Sequence, residues 1–324
     1  MHSRPFRRIA HVVQVVPLAF FLLQGCVTTS HPERSADLGR PIVMKAMEQR
    51  LIDPDSARGP IELRSIISAD WSIRLSQILN LDHTLARAGN LGERDEPIQV
   101  YFHVLRHPTR GLFLIDTGFS AQMARDPGSL GVDAILRRAM AFARLRFHRG
   151  PADVLAAGNQ PLRGVFLTHL HPDHIGGLAE VPLDVPIYAG PGETTEAHWT
   201  HFFTAGSADL AFRGRPALQT WAFTPAEAAA GANDMQVIDV FDDGSVFALA
   251  VPGHTGGSTA YLVRSTSGPV LLTGDASHTR WGWDNGVEPG AASVDRTRSR
   301  LSLNQLRSLA ARHPDVEVRV GHQP

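Results

Sequence analysis

The chain has 324 residues, 43% of them hydrophobic and 19% charged, with a formal net charge of -1. This is globular composition, long enough for one large domain or two small ones, and it lacks the basic surplus of a nucleic-acid binder. A single cysteine, Cys26, excludes an intrachain disulfide and a cysteine-based zinc site, while histidine, with 16 copies, is the unusual count.

The N-terminus reads as an address. Arg4, Arg7 and Arg8 precede an apolar run from Ile9 to Leu23, which ends in Leu23-Gln24-Gly25-Cys26. A basic start, a short apolar stretch and small residues before a cut mark an export signal. The run is short for a membrane span, which needs about 20 apolar residues. Its ending resembles the lipobox of bacterial lipoproteins. That resemblance implies that residues 1–25 are a signal peptide, that Cys26 is lipidated, and that the protein is exported. With Val27 following the cysteine, it implies the periplasmic face of the outer membrane. An uncleaved apolar anchor with an incidental cysteine is the alternative. Residues 26–60, rich in Ser, Pro, Arg and Asp, read as a tether with one short helix around Ile42–Leu51. The folded domain is then expected over 61–324.

From Ile61 apolar runs are bounded by Gly and Pro. Residues 98–105 and 111–116 predict a hairpin joined through His107-Pro108-Thr109-Arg110. Asp133–Phe147 has helical apolar spacing with many arginines. Such a segment could cover a site or meet a membrane, and a solvated helix packed on a sheet is the reading the pattern favours. Strands are expected at 163–168 and 185–190, then a helix over Glu193–Phe203. Residues 235–241 and 245–251 flank Asp242-Asp243-Gly244 as a second hairpin. Strands at 258–263 and 269–275, a helix over Ser302–His313 and a strand at 316–320 complete the chain. Antiparallel pairs with helices between them favour two sheets with helices outside.

The chemistry concentrates in Thr168-His169-Leu170-His171-Pro172-Asp173-His174-Ile175-Gly176-Gly177. On extended chain residues i and i+2 face the same way, so His169 and His171 can hold one metal. Pro172 turns the chain, and Asp173 and His174 can face a second. Imidazole and carboxylate are donors that catalytic zinc accepts. Asp116, His254, Asp275 and His322 each follow a predicted strand, in Leu114-Ile115-Asp116-Thr117-Gly118, Gly253-His254-Thr255-Gly256-Gly257-Ser258, Thr273-Gly274-Asp275 and Gly321-His322. Singly each is an ordinary turn residue. Together they mark one edge of a scaffold.

The order HxHxDH, GHTxGS, GD and a terminal GH resembles the metallo-β-lactamase superfamily over about residues 98–322. The resemblance implies an αββα sandwich and two divalent metal ions, zinc foremost. It makes His169, His171 and His254 ligands of the first metal, and Asp173, His174 and His322 ligands of the second, with Asp275 bridging. Asp116 becomes the acid that orients the HxHxDH loop. The β-lactamases usually carry a cysteine ligand, which is missing here. The bridging Asp and terminal Gly-His resemble the lactonase and glyoxalase II branches, and the C-terminal stretch is more similar to the lactonases. Many lactonases have tyrosine three residues after the bridging Asp, where this chain has His278.

The resemblance thus implies hydrolysis of an ester-like carbonyl, as in an acyl-homoserine lactone, by a metal-bridging hydroxide. Asp275 and Asp173 would be catalytic, and His278 a candidate acid for the leaving group. The other readings are a thioesterase, a phosphoester or organophosphate hydrolase on the same site, and a non-catalytic metal-binding lipoprotein. The expected partners are a small ester or lactone, no nucleic acid, and the membrane through a lipid on Cys26.

Overall fold

The computed structural model describes residues 26–52, 59–158, 160–199, 201–223 and 235–324. The expected signal peptide, residues 1–25, lies outside the described residues. Among the described residues no helix is long and apolar enough to cross a membrane.

Fourteen strands build two sheets among these residues: β1 Glu33–Ser35, β2 Arg40–Ile42, β3 Glu62–Arg74, β4 Asp95–His107, β5 Gly111–Ile115, β6 Arg146–Phe147, β7 Leu162–Phe166, β8 Ile187–Ala189, β9 Leu218–Thr220, β10 Val237–Asp239, β11 Val246–Ala250, β12 Thr259–Ser265, β13 Gly268–Leu272 and β14 Glu317–Arg319. The first sheet has the order β1-β9-β8-β7-β5-β4-β3-β6, the second β14-β13-β12-β11-β10-β2. The period-2 alternation of a strand assigns each side chain to a face. Phe113 and Ile115 of β5 and Val246 and Ala248 of β11 meet in a core between the sheets, with Phe166, Trp221 and Tyr261. Leu112 and Leu114 face the other way, onto a core shared with Ile175, Ala208 and Phe212 of the flanking helices. Phe247 and Leu249 likewise pack on Leu303, Leu306 and Leu309 of helix Arg296–Arg312. Helices outside two packed sheets are the expected αββα sandwich.

Both expected hairpins form, β4 with β5 and β10 with β11. Four expectations are corrected. Residues 26–52 are not a tether but part of the fold, and 53–58 of the expected tether lie outside the described residues. Glu33 to Ser35 pair in parallel with β9, Arg40 to Ile42 pair with β10, and Met44–Ile52 is a helix on the second sheet. Sheet edges carry unpaired backbone groups that any extended segment can satisfy, and these two short strands occupy one edge of each sheet. The Asp133–Phe147 helix shrinks to Ala134–Ala139. Ala141 takes a φ of 50°, its carbonyl accepts from the Trp71 indole at 3.2 Å, and Phe142, Leu145 and Phe147 pack around Trp71 and Phe119 instead of continuing a helix. The Glu193–Phe203 helix is displaced to His201–Phe212. Glu193 is buried, and its carboxylate accepts the amides of Leu170 and Gly257, which fixes its backbone in a loop. The last helix begins before Ser302, at Arg296, because the Asp295 carboxylate caps the amides of Thr297 and Arg298 at 2.9 and 3.0 Å.

Candidate metal centre

The donors stand just beyond the ends of strands that run the same way within each sheet. β5 and β7 are parallel and lead to Asp116 and to the His169–His174 segment. β13 and β14 are parallel, and β11 shares their direction through β12; they lead to Asp275, His322 and His254. The structure brings all seven expected ligands together. The donor atoms of His169, His171, His254 and Asp275 lie within 4.8 Å of one another, as do those of Asp173, His174 and His322, and those of Asp275, His278 and His322. Asp275 sits between the sets, with its Oδ2 3.6 Å from His169 Nε2, 3.3 Å from His254 Nε2 and 3.5 Å from His174 Nε2, and its Oδ1 3.3 Å from His322 Nε2.

The far ring nitrogens fix orientation. His322 Nδ1 lies 2.9 Å from the carbonyl of Gln99, a group that only accepts, so Nδ1 carries the proton and Nε2 turns a lone pair inward in the neutral ring. His174 Nδ1 donates to Asp116 Oδ2 at 2.9 Å, and His254 Nδ1 lies 3.2 Å from Ser293 Oγ. Asp116 also accepts the amide of Thr168 at 2.8 Å and its hydroxyl at 2.9 Å. It thereby ties the strand end to His174. Such partners hold ligating imidazoles in one tautomer.

His169 Nε2, His174 Nε2 and Asp275 Oδ1 are buried without a hydrogen-bond partner. Orphaned buried polar atoms cost about 1–3 kcal/mol each, and three converging on one point fit divalent metal ions. Protonation agrees. Burial pulls His169 and His254 well below the usual imidazole range and His171 down to about 4, so all three are unprotonated donors at neutral pH. Burial acts the same way on His174 and His322, but the carboxylates of Asp275, Asp116 and Asp173 around His174, and of Asp275 and Asp173 around His322, outweigh it and raise both. Burial opposes ionisation of Asp275, yet the imidazoles of His278, His322 and His174 hold its carboxyl well below the usual range.

His278 is not a solvated loop residue. It is 3% exposed, its Nε2 is 3.1 Å from Asp275 Oδ2, and its ring stacks on His322 at 5.4 Å. Glu193 was not legible as part of the site. Its carboxyl is buried, braces the loops of His171 and His254 through Leu170 and Gly257, and is pushed up by burial to about 7. Its only sequence signal was an acid inside a glycine-rich segment, which also describes many turns.

A cavity of about 270 Å³ opens on His171 and Asp173. Trp71, Leu136, Met140, Phe142, Trp199 and Phe203 make its wall apolar. The arginine-rich segment after Asp133 therefore does both things its pattern allowed: its short helix packs on the first sheet beside Trp71 and Val100, and Leu136, Met140 and Phe142 line the cavity.

The profile of the Metallo-beta-lactamase superfamily matches residues 95–322. The chain belongs to the metallo-β-lactamase superfamily. The N-acyl homoserine lactonase AttM of Azorhizobium caulinodans is 33% identical over 238 residues, 71% of this chain and 84% of that protein. Among solved structures, AiiA of B. thuringiensis with N-decanoyl-L-homoserine at its active site superposes with a TM-score of 0.55 at 18% identity, over 81% of this chain and 92% of that one. AidC, a dizinc quorum-quenching lactonase in complex with its product, gives 0.51 at 14%, over 89% and 92%. These two likenesses show the shared fold.

Proposed function

We propose that this superfamily member is a metal-dependent hydrolase that opens the ester ring of lactones carrying an apolar acyl chain, such as N-acyl homoserine lactones. The observation that carries the reading is the apolar cavity ending on His171 and Asp173. A lactone ring at the donors leaves its acyl chain along Leu136, Met140, Phe142 and Phe203, at about 0.8 kcal/mol per buried methylene. The likeness to AttM supports the same substrate class.

His169, His171 and His254 would hold one divalent ion, zinc foremost, and Asp173, His174 and His322 the other, with Asp275 shared. Bound there, the ions supply Lewis acidity and a nucleophilic water near neutral pH. Asp275, ionised and surrounded by imidazoles, accepts and passes on a proton at Oδ2. Asp173 lines the cavity together with His171 and is the more exposed of the two carboxylates. His278 takes the place of the lactonase tyrosine and is assigned the proton for the leaving alkoxide. Cys26 is assigned as the lipid attachment point, on the periplasmic face of the outer membrane.

The test is turnover by the purified, zinc-loaded protein of acyl-homoserine lactones, a simple lactone, an aryl ester, a thioester and a phosphotriester. Preferred turnover of the acyl lactones, lost with a chelator and restored by zinc, supports the reading. Turnover of the thioester or phosphotriester alone refutes it and moves the site to another bond. For His278, a pH–rate profile of His278→Ala with both limbs unchanged removes the acid role and leaves it holding Asp275.

A further inference from the structure

The chain leaves its anchor without slack. Cys26 is exposed, yet its carbonyl accepts the amide of His198 at 2.9 Å and faces His201 Nδ1 at 3.0 Å. Thr28 and Thr29 are buried, Thr29 Oγ1 and the Ser30 amide both donate to Asp209 of helix His201–Phe212, and the His31 ring stacks on Phe212. A free segment over residues 26–60 would let the domain tumble at the end of a leash of about 100 Å, at ~3.3 Å per extended residue. Here residue 26 is itself part of the surface.

That surface is aromatic. Trp199, one residue from His198, is 63% exposed, and Phe202 is 69% exposed with its ring 5.4 Å from Phe203. Trp199 and Phe203 belong to the wall of the apolar cavity, and so does Leu136, whose neighbour Ile135 is 67% exposed. Arg138 is exposed on the same face of that short helix, three residues on. Large exposed apolar side chains gathered in one place mark a binding surface. Tryptophan and arginine beside aliphatic residues suit the headgroup level of a bilayer. The sequence supplies the occupant: the apolar run 9–23 ends three residues before Cys26, so membrane attachment by lipid or by an uncleaved anchor emerges here either way.

We propose that Trp199, Phe202 and Ile135 seat on the lipid surface beside Cys26, so that the mouth of the cavity opens at the headgroups of the membrane that anchors the protein. The patch is then a contact with the lipid surface in addition to the attachment at Cys26, and it fixes which way the domain faces. The inference rests on attachment at Cys26 and is independent of the bond that is hydrolysed.

The full chain is reconstituted in vesicles of phosphatidylethanolamine and phosphatidylglycerol, with and without lipids brominated near the headgroup, and floated on a gradient. Tryptophan quenching by the brominated lipid is expected in the wild type, reduced in Trp199→Phe and increased in Phe202→Trp; both side chains are exposed, so neither change threatens folding. Equal quenching in all three proteins on floating vesicles overturns the inference and leaves the attachment standing. A chain that does not float overturns both. If a second copy of the chain covers the patch instead, Trp199→Ser with Phe202→Ser lowers the particle mass in detergent and leaves the quenching of the wild type at background, which also overturns it.

Discussion

Replacing Asp116 by Asn tests whether the second donor group depends on a carboxylate that reaches no metal. Asp116 accepts three hydrogen bonds, from the Thr168 amide, the Thr168 hydroxyl and His174 Nδ1, at 2.8, 2.9 and 2.9 Å. Asparagine keeps the shape but turns one oxygen into a donor. If its oxygen stays on the Thr168 amide, its NH2 meets His174 Nδ1, which must then accept. The proton moves to Nε2, the atom that faces Asp275, and blocks it as a ligand. If the amide flips, its NH2 confronts the Thr168 amide and leaves a buried donor unmet. The first outcome lowers metal affinity about 10–100-fold, as loss of a ligand's hydrogen-bond partner does, which is about 1.4–2.7 kcal/mol. The second costs about 1–3 kcal/mol of stability in the metal-free protein. Competition against a chromophoric chelator measures the first, and urea unfolding of the stripped protein the second. Wild-type values in both would refute the tautomer argument, because the asparagine cannot satisfy all three partners.

Three further outcomes follow from the same geometry. A Cβ on Gly321 would stand 2.5 Å from Asp275 Oδ1 and 2.9 Å from the Gly274 carbonyl, so Gly321→Ala is expected to abolish most turnover while lowering stability by only about 1–3 kcal/mol; wild-type turnover with wild-type metal content would contradict it. Leu136→Trp narrows the apolar cavity, and should flatten the rise of kcat/KM with acyl length, normally about fourfold per methylene; identical slopes in both proteins remove this pocket from substrate binding. On acidification, protons compete first at His174 and His322, whose affinity for them is raised, and much later at His169, His171 and His254, where it is lowered. One metal equivalent should therefore leave before the other as pH falls, and His322→Ala should lack that first step; simultaneous loss of both ions would count against the assignment.

The parts of the fold that could be read in the sequence were those whose local pattern agrees with their tertiary role. The two hairpins carry their own turn chemistry, and the HxHxDH segment holds four donors within six residues behind a buried strand. What could not be read depends on partners far away in the chain. Phe142, Leu145 and Phe147 keep helical spacing but are claimed by Trp71 and Phe119. Glu193 sits in a helix-compatible stretch but is held by amides 23 and 64 positions away. The short strands Glu33–Ser35 and Arg40–Ile42 have the composition of a linker and are ordered by the edges they cover. His278 stood out only as a departure from tyrosine; its burial against Asp275 depends on strand ends that the sequence brings together from positions 275 and 322.

The site also couples the two sheets. His169, His171, Asp173 and His174 come from the first, His254, Asp275 and His322 from the second. Just behind them Thr259 N–H donates to the Thr168 carbonyl at 2.8 Å, and the Tyr261 hydroxyl donates to that of Leu167 at 3.0 Å. These bonds set the spacing of the donors, and ions held between the donors would clamp the same seam. Without ions, buried imidazoles and carboxylates face one another with orphaned atoms, each a cost to the seam. An ion present at a thousand times its dissociation constant adds about 4 kcal/mol to stability. Hydrogen exchange should show that gain at the amides of Thr168, His174 and Thr259, on both sides of the seam, and equal exchange there with and without ions would refute the clamp.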